Sequence, residues 1–185
     1  MYWLIAGLVM FFGVHVFSAF RTARENVIQR MGEKPYKAAY SLLAVAGFIL
    51  IVIGVGRAEP VNLWQPAEWG RYAAVWFMPF AFILLAAAFI PSNFQRFTAH
   101  PMLGGVTLWA LLHLLANGNL TGLILFGTFG LYAVHAMSSQ NARGARPSQV
   151  RRPLINDAAV VVAGLILFWL FLHFHAKLFG VPVVY

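Results

Sequence analysis

The charged residues divide this sequence into long apolar blocks. No Asp, Glu, Lys or Arg occurs in residues 1–20, 38–56, 72–95, 97–142 or 158–176. A membrane-spanning helix needs about 20 mostly apolar residues, and the Asn117-Gly118-Asn119 sequence is typical of a turn that splits the longest block. The pattern therefore predicts an all-α polytopic membrane protein, a six-transmembrane-helix bundle with short loops in a single domain, 1–185. The predicted spans are 2–20, 38–56, 73–91, 101–117, 120–138 and 157–176.

The composition supports a membrane protein and excludes an ordinary soluble domain. Hydrophobic residues make up 61% of the 185 residues and charged residues 10%, with a mean hydropathy of +0.76, whereas soluble domains are about 45–50% apolar and about 25% charged. The chain has no cysteine, which excludes disulfides and thiolate metal sites. The first block lacks a positive n-region and a small-residue cleavage site, so we expect it to remain as the first span rather than to be a cleaved signal peptide.

The distribution of Lys and Arg predicts the orientation in the membrane. Ten of the thirteen fall in the first, third and fifth loops, and three, Arg57, Arg71 and Lys177, fall on the other side. Because loops rich in Lys and Arg stay in the cytoplasm, we expect both termini to lie outside. This topology, with anionic headgroups of the lipid bilayer as partners, accounts for the net charge of +8 without a nucleic acid.

The ionisable side chains predicted to lie inside the membrane are histidines. The five acids fall in loops or at helix starts, which argues against an ion pump, a proton-coupled transporter or a cation channel. His15, His113 and His135 fall in spans 1, 4 and 5. His173 and His175 fall near the outer end of span 6, where we expect an interfacial role, and His100 precedes Pro101 at a helix start.

His15 and His113 are the pair whose depths suit a cofactor. At about 1.5 Å per residue, each falls about 6 Å from the middle of its span, on opposite sides. The separation of about 12 Å along the membrane normal is comparable to that of two axial ligands on opposite faces of one haem. Trp109, one turn before His113, is expected on the same face, packed either on the haem ring or in the core. A structural role for both histidines, as hydrogen-bond donors to neighbouring helices, stays open at this point.

Several blocks of the sequence are similar to one family of membrane proteins. Residues 100–118, which read HPMLGGVTLWALLHLLANG, resemble the NnrU family. Further similarities cover nearly the whole chain: Gly13-Val14-His15, residues 32–42, Pro91-Ser92-Asn93 with Arg96, Leu125-Phe126-Gly127, Leu172-His173 and residues 178–181.

The resemblance implies a function and a ligand set. Members of the family accompany nitrite and nitric oxide reduction in denitrification. Plant and cyanobacterial relatives include 15-cis-zeta-carotene isomerase, which binds haem b through histidines. Carried over, the axial ligands are His15 and His113, and His100 is a further family histidine with a supporting or substrate-side role. The sequence departs from the family at Thr107, where a basic residue is frequent, and at Tyr72, where a histidine often follows the arginine.

The residues and the resemblance together predict a protein of the bacterial inner membrane that holds one haem b between His15 and His113. Trp109 and His100 complete the predicted cofactor site. The expected role is in redox chemistry or ligand switching, with nitric oxide or a polyene as ligand and a redox partner, and whether the protein is an enzyme is left open. One alternative is a polyene cis–trans isomerase with a lipid-open apolar cleft. Another is a cofactor-free assembly factor for nitric oxide reduction. An isoprenylcysteine-type methyltransferase ranks last, because the tail after Lys177 offers no cofactor-binding segment.

Overall fold

The protein is helical along nearly its whole length. A computed structural model describes residues 1–59, 61–181 and 183, and within them it contains eight helices and no strand. The chain forms two compact units, Met1–Pro60 and Val61–Tyr185. The helices are α1 (Tyr2–Ala19), α2 (Arg21–Met31), α3 (Glu33–Gly56), α4 (Glu68–Phe89), α5 (Phe94–Phe97), α6 (Pro101–Ala116), α7 (Leu120–Ala142) and α8 (Leu154–Phe179).

Each of the six predicted spans is helical, and the predicted break between the fourth and fifth is confirmed. Among the described residues, five helices are long and apolar enough to cross a membrane: α1, α3, α4, α7 and α8. The sixth, α6, has 16 residues and is about 24 Å long, against about 30 Å for the hydrocarbon core. An all-helical fold with five membrane-length helices is therefore confirmed, and a sixth span and the orientation stay predictions.

The first predicted loop contains additional helix. Helix α2 occupies it, and α3 begins at Glu33, five residues before the predicted span. Gly32 separates the two helices with a φ of +88°, a conformation that side chains other than glycine rarely adopt. Glu33 and Lys37 form an i, i+4 ion pair of 2.7 Å, which favours helix in this polar turn. Hydropathy alone locates the apolar part of a helix and misses such polar extensions.

In the first unit, α1 packs closely along α3. Leu4 and Ile51 are buried between them. Gly47 permits the close approach, because a Cβ there would lie 2.7 Å from the backbone nitrogen of Phe11. Small residues at helix contacts are typical of membrane helices, where association depends on backbone proximity. The contact fixes the position of Phe11, one turn before His15.

In the second unit, α4 packs against both α6 and α8, and α6 packs against α7. Met78, Ala81, Phe82 and Leu112 form one buried cluster between α4 and α6. Ala86, Ala87 and Val160 form another between α4 and α8. Small alanines at these contacts bring the helices close together, and α6 is held between two neighbours.

An extended segment of residues 61–66, here called the strap, lies against the turn between α6 and α7. The backbone nitrogen of Trp64 donates to the Gly118 carbonyl at 3.1 Å, and that of Leu120 donates to the Val61 carbonyl at 2.8 Å. A Cβ at Gly118 would lie 1.9 Å from the Trp64 carbonyl oxygen. Gly118 is therefore required by this close approach.

The amides beside Gly118 close the ends of the two helices. Asn119 caps α7, since its side-chain oxygen accepts from the backbone nitrogen of Gly122 at 2.7 Å. The side-chain nitrogen of Asn117 donates to the His113 carbonyl at 2.8 Å. These bonds satisfy backbone groups that a helix end leaves without partners.

At the opposite end of α4, a polar network joins the segment after α4 to the start of α8. The Asn93 backbone nitrogen and side-chain nitrogen each donate to the Asp157 carboxylate at 2.7 Å. The side chain of Asn93 also bonds the backbone of Arg152, and Asn156 donates to the Pro91 carbonyl at 2.7 Å. Asn93 therefore holds together two segments that are 59 to 64 residues apart in the chain.

Candidate functional site

His15 lies on α1 in the first unit and is surrounded by aromatic rings. Its Nδ1 is 2.6 Å from the carbonyl oxygen of Phe11. The imidazole stacks on the Phe11 ring with centroids 4.3 Å apart, and the Tyr40 ring of α3 lies 5.5 Å away. The close contact of α1 with α3 brings Tyr40 to this position, which the sequence interpretation did not single out.

His113 lies on α6 in the second unit and has the same local geometry. Its Nδ1 is 2.9 Å from the Trp109 carbonyl oxygen. The imidazole stacks on Phe126 of α7 with centroids 4.3 Å apart and an interplanar angle of 24°. Phe126 lies within a block by which the sequence resembles the NnrU family, and its contact gives that block a structural role beside His113.

The two backbone hydrogen bonds fix which nitrogen of each imidazole carries the proton. A carbonyl oxygen only accepts, so Nδ1 must be the donor in both histidines. A neutral imidazole protonated at Nδ1 has its lone pair on Nε2, the arrangement by which histidine binds a transition metal while its second nitrogen is oriented by a hydrogen bond. Both predicted axial residues thus have the tautomer of an Nε2 ligand.

Trp109 lies beside His113 and packs into the core, which is one of the two positions that the sequence left open. Its ring centroid lies 5.0 Å from that of His113 and 4.9 Å from that of Phe126. The same side chain packs against the buried cluster around Met78 and Leu112. Trp109 therefore connects the histidine to the core of the second unit, and the prediction that it contacts a haem ring remains a prediction.

His175 is the residue that the sequence interpretation undervalued. It lies near the end of α8, and its ring is 6.4 Å from that of His113 with an interplanar angle of 19°. Its Nδ1 lies 2.6 Å from the Val181 carbonyl oxygen. The sequence did contain a signal, because the predicted topology already placed both residues towards the outer side of their spans.

His100 lies at the other end of α6 from His113. It is the N-cap residue of the helix and is buried. Its Nε2 lies 2.7 Å from the side-chain oxygen of Asn141, in the last turn of α7. Thirteen residues of helix, about 20 Å, separate it from His113, so its observed role is to join the start of α6 to the end of α7. The predicted supporting or substrate-side role of His100 stays a prediction.

The remaining histidines are on exposed surfaces. His135 is exposed on α7, and His173 is exposed on α8 with its ring stacked on Trp169 at 5.4 Å. In the part of the chain that the structure describes, no group of three or more His, Cys, Asp or Glu side chains could hold a metal ion. A porphyrin supplies four nitrogen ligands itself and requires only axial residues from the protein.

These features define the class as an all-helical protein with helices of membrane-spanning length and composition, in which histidines lie among aromatic rings. The chain belongs to the NnrU family: the family model described as NnrU protein matches residues 3–183. The family resemblance found in the sequence is therefore confirmed over nearly the whole chain.

Neither the curated proteins nor the solved structures contain a match to this chain.

Proposed function

We propose that this NnrU-family protein is a six-span protein of the bacterial inner membrane with both termini outside. The orientation follows from the ten Lys and Arg residues in the odd loops against three in the others. The described acids in helices are consistent with the positions of the spans, because Glu25 lies in the short α2 while Glu33, Glu68 and Asp157 lie in the first turns of α3, α4 and α8.

The strap supports α6 as the sixth span. Although α6 is only 16 residues long, part of the backbone after its end is paired within the protein, because the strap donates to the Gly118 carbonyl and accepts from Leu120. Non-helical backbone is tolerated at membrane depth where its polar groups are satisfied within the protein. The strap and the turn then cross the part of the hydrocarbon core that the short helix does not reach.

Within this topology, we propose that His15 and His113 supply the axial ligands of one haem b. The observation that carries the proposal is the matched hydrogen bond from each Nδ1 to the carbonyl four residues earlier. Both imidazoles then present an Nε2 lone pair, and their stacking on Phe11 and Phe126 restricts rotation of the rings. This donor set fits a haem, because neutral imidazole is a good axial ligand for haem iron.

The residues of the chain have distinct roles in this account. The carbonyls of Phe11 and Trp109 hold the ligand tautomers, and the rings of Phe11 and Phe126 each stack on one of the imidazoles. A haem b held by His15 and His113 would supply one-electron redox chemistry or, in a ligand-switching role, a site for nitric oxide. The association of the family with nitric oxide reduction favours this redox or ligand-switching role in denitrification.

Haem content tests the proposal. The protein is expressed with added δ-aminolevulinic acid, purified in detergent, and assayed for haem b by the pyridine haemochrome method. We expect about one haem per chain. A colourless protein under these conditions would overturn the haem proposal and leave the cofactor-free assembly factor as the better account.

A second candidate, polyene isomerisation, is favoured by the apolar surroundings of His113. Trp109, Phe126 and Phe129 form a connected set of rings beside the imidazole, and such a surface suits an extended conjugated chain. Incubation of the reduced haem-loaded protein with 15-cis-zeta-carotene tests it. Isomerisation that depends on haem supports this activity, whereas an unchanged isomer composition contradicts it.

A further inference from the structure

The first unit contains an open cavity with both polar and apolar lining at the end of α1. Its volume is about 280 Å³, and it is lined by Ser18, Arg24, Tyr36, Lys37 and Tyr40. The lining comes from three helices, since Ser18 is on α1, Arg24 on α2 and the other residues on α3. Two of the five side chains are cations and three carry hydroxyl groups. The cavity therefore has the chemistry of a site for an anion.

Tyr36 lines the cavity, and its hydroxyl is a candidate donor to a ligand. The residue is only 9% exposed, and among the described residues its hydroxyl oxygen has no hydrogen-bond partner. Buried hydroxyl groups in folded proteins are almost always hydrogen-bonded. A ligand oxygen in the cavity would supply the missing acceptor.

The two cations have an acidic neighbour, the exposed carboxylate of Glu33. The guanidinium carbon of Arg24 lies 5.9 Å from the centre of the Tyr36 ring, and no carboxylate within the described residues forms an ion pair with it. Lys37 pairs with Glu33 at 2.7 Å, but both side chains are more than 60% exposed, and exposed pairs of this kind are weak. Arginine and lysine together with a hydroxyl donor are typical of carboxylate and phosphate sites.

The position of the cavity indicates an amphiphilic ligand. The apolar helix α1 ends at Ala19 and the basic helix α2 begins at Arg21, so the cavity lies where apolar and charged surfaces meet. Phe17, next to Ser18 in the sequence, and Leu43, one helical turn after Tyr40, are exposed, as expected for side chains in contact with acyl chains. Tyr40 lies between the cavity and His15, because it lines the cavity and its ring is 5.5 Å from that of His15.

We propose that this cavity binds the oxyanion of a membrane-embedded amphiphile, either a propionate carboxylate of haem or the phosphate of an anionic phospholipid. The first source rests on the proposed function, since it requires haem at His15. The second source does not depend on haem.

The test compares two charge-matched double variants. Arg24→Gln with Lys37→Gln removes both cations from the cavity. Arg30→Gln with Lys34→Gln removes two exposed cations from the same region outside it. Each protein is reconstituted in nanodiscs of zwitterionic lipid and titrated with haem and with haem dimethyl ester, which lacks the carboxylates. In parallel, proteins from phosphatidylglycerol-containing bilayers are delipidated, and the retained phosphatidylglycerol is quantified by native mass spectrometry.

The two ligand sources give different results. For a propionate, the wild type and the Arg30/Lys34 variant bind haem at least about tenfold more tightly than the dimethyl ester, and the cavity variant binds both equally. For a phospholipid, the ester binds as well as haem, and the cavity variant alone retains about tenfold less phosphatidylglycerol. If the cavity variant matches the control in both measurements, the proposal is wrong.

Failure of haem binding would be a separate result. If the wild type binds neither haem nor its ester, the haem function fails while the phosphatidylglycerol measurement still decides the cavity proposal. Tyr36→Phe covers the case in which the double variant does not fold, because it removes only the unpartnered hydroxyl. We expect it to weaken the same ligand about threefold to tenfold. Unchanged binding of both ligands by this variant would then contradict the proposal.

Discussion

At the scale of single residues, the local backbone determines what each histidine can do. His15 and His113 lie in apolar helices and donate to a carbonyl of their own helix, which leaves the lone pair on Nε2. His100 donates instead through Nε2 to a side chain of another helix. The sequence predicted where along its helix each of the three lies. It did not predict these bonds, because the side-chain conformation depends on neighbours such as Phe126 and Asn141, which lie far away in the chain.

The bond between His100 and Asn141 gives a prediction that a double-mutant cycle measures. His100→Ala, Asn141→Ala and the double variant are compared by the midpoint of thermal unfolding in detergent. Because the two side chains share a 2.7 Å hydrogen bond at a part-buried site, we expect a coupling energy of about 1 kcal/mol. Strict additivity of the two single substitutions would mean that the bond does not stabilise the junction of α6 and α7.

At the scale of helices, hydropathy located the apolar helices but misplaced several of the residues at which they begin or end. The break at residues 117–119 was predictable, because two amides around a glycine are typical of a turn. The strap was not predictable, since nothing in residues 61–66 indicates pairing with a turn more than 50 residues later. Helix α2 was also missed, because an 11-residue polar helix has no apolar signal.

The strap predicts a strong effect of one added methyl group. Gly118→Ala places a Cβ 1.9 Å from the Trp64 carbonyl oxygen, so the strap must move away and lose its hydrogen bonds. We expect a destabilisation of about 1–3 kcal/mol, measured as a lower midpoint of thermal unfolding.

Gly127→Ala on α7 is the matched control for this prediction. A Cβ at Gly127 meets nothing within 4 Å, and alanine favours helix over glycine by about 1 kcal/mol. The control should therefore be as stable as the wild type or more stable. Equal stability of the Gly118 and Gly127 variants would show that the strap contributes little.

At the scale of the whole molecule, the orientation in the membrane and the binding of a cofactor are the two proposals that experiments must test. Helices of membrane-spanning length are present in both units, and the family extends over both. The orientation depends on the Lys and Arg of the loops, whose effect acts during membrane insertion and leaves no trace in the packing of helices.

The absence of cysteine in the chain makes the topology directly measurable. Glu59→Cys introduces a single thiol after α3, at an exposed position that we expect outside, and Ser148→Cys introduces one before α8, which we expect in the cytoplasm. A membrane-impermeant maleimide added to intact spheroplasts should label the first and should label the second only after permeabilisation. The reverse pattern would invert the proposed orientation.

The most direct test of the central claim is the absorption spectrum of the purified protein, oxidised and then reduced with dithionite, for the wild type, His15→Ala, His113→Ala and His135→Ala. The account predicts a low-spin spectrum with sharp reduced α and β bands for the wild type and for His135→Ala, whose histidine is exposed on α7. It predicts a high-spin spectrum or loss of haem in each of the other two variants. A wild-type spectrum in either His15→Ala or His113→Ala would contradict axial ligation by that residue.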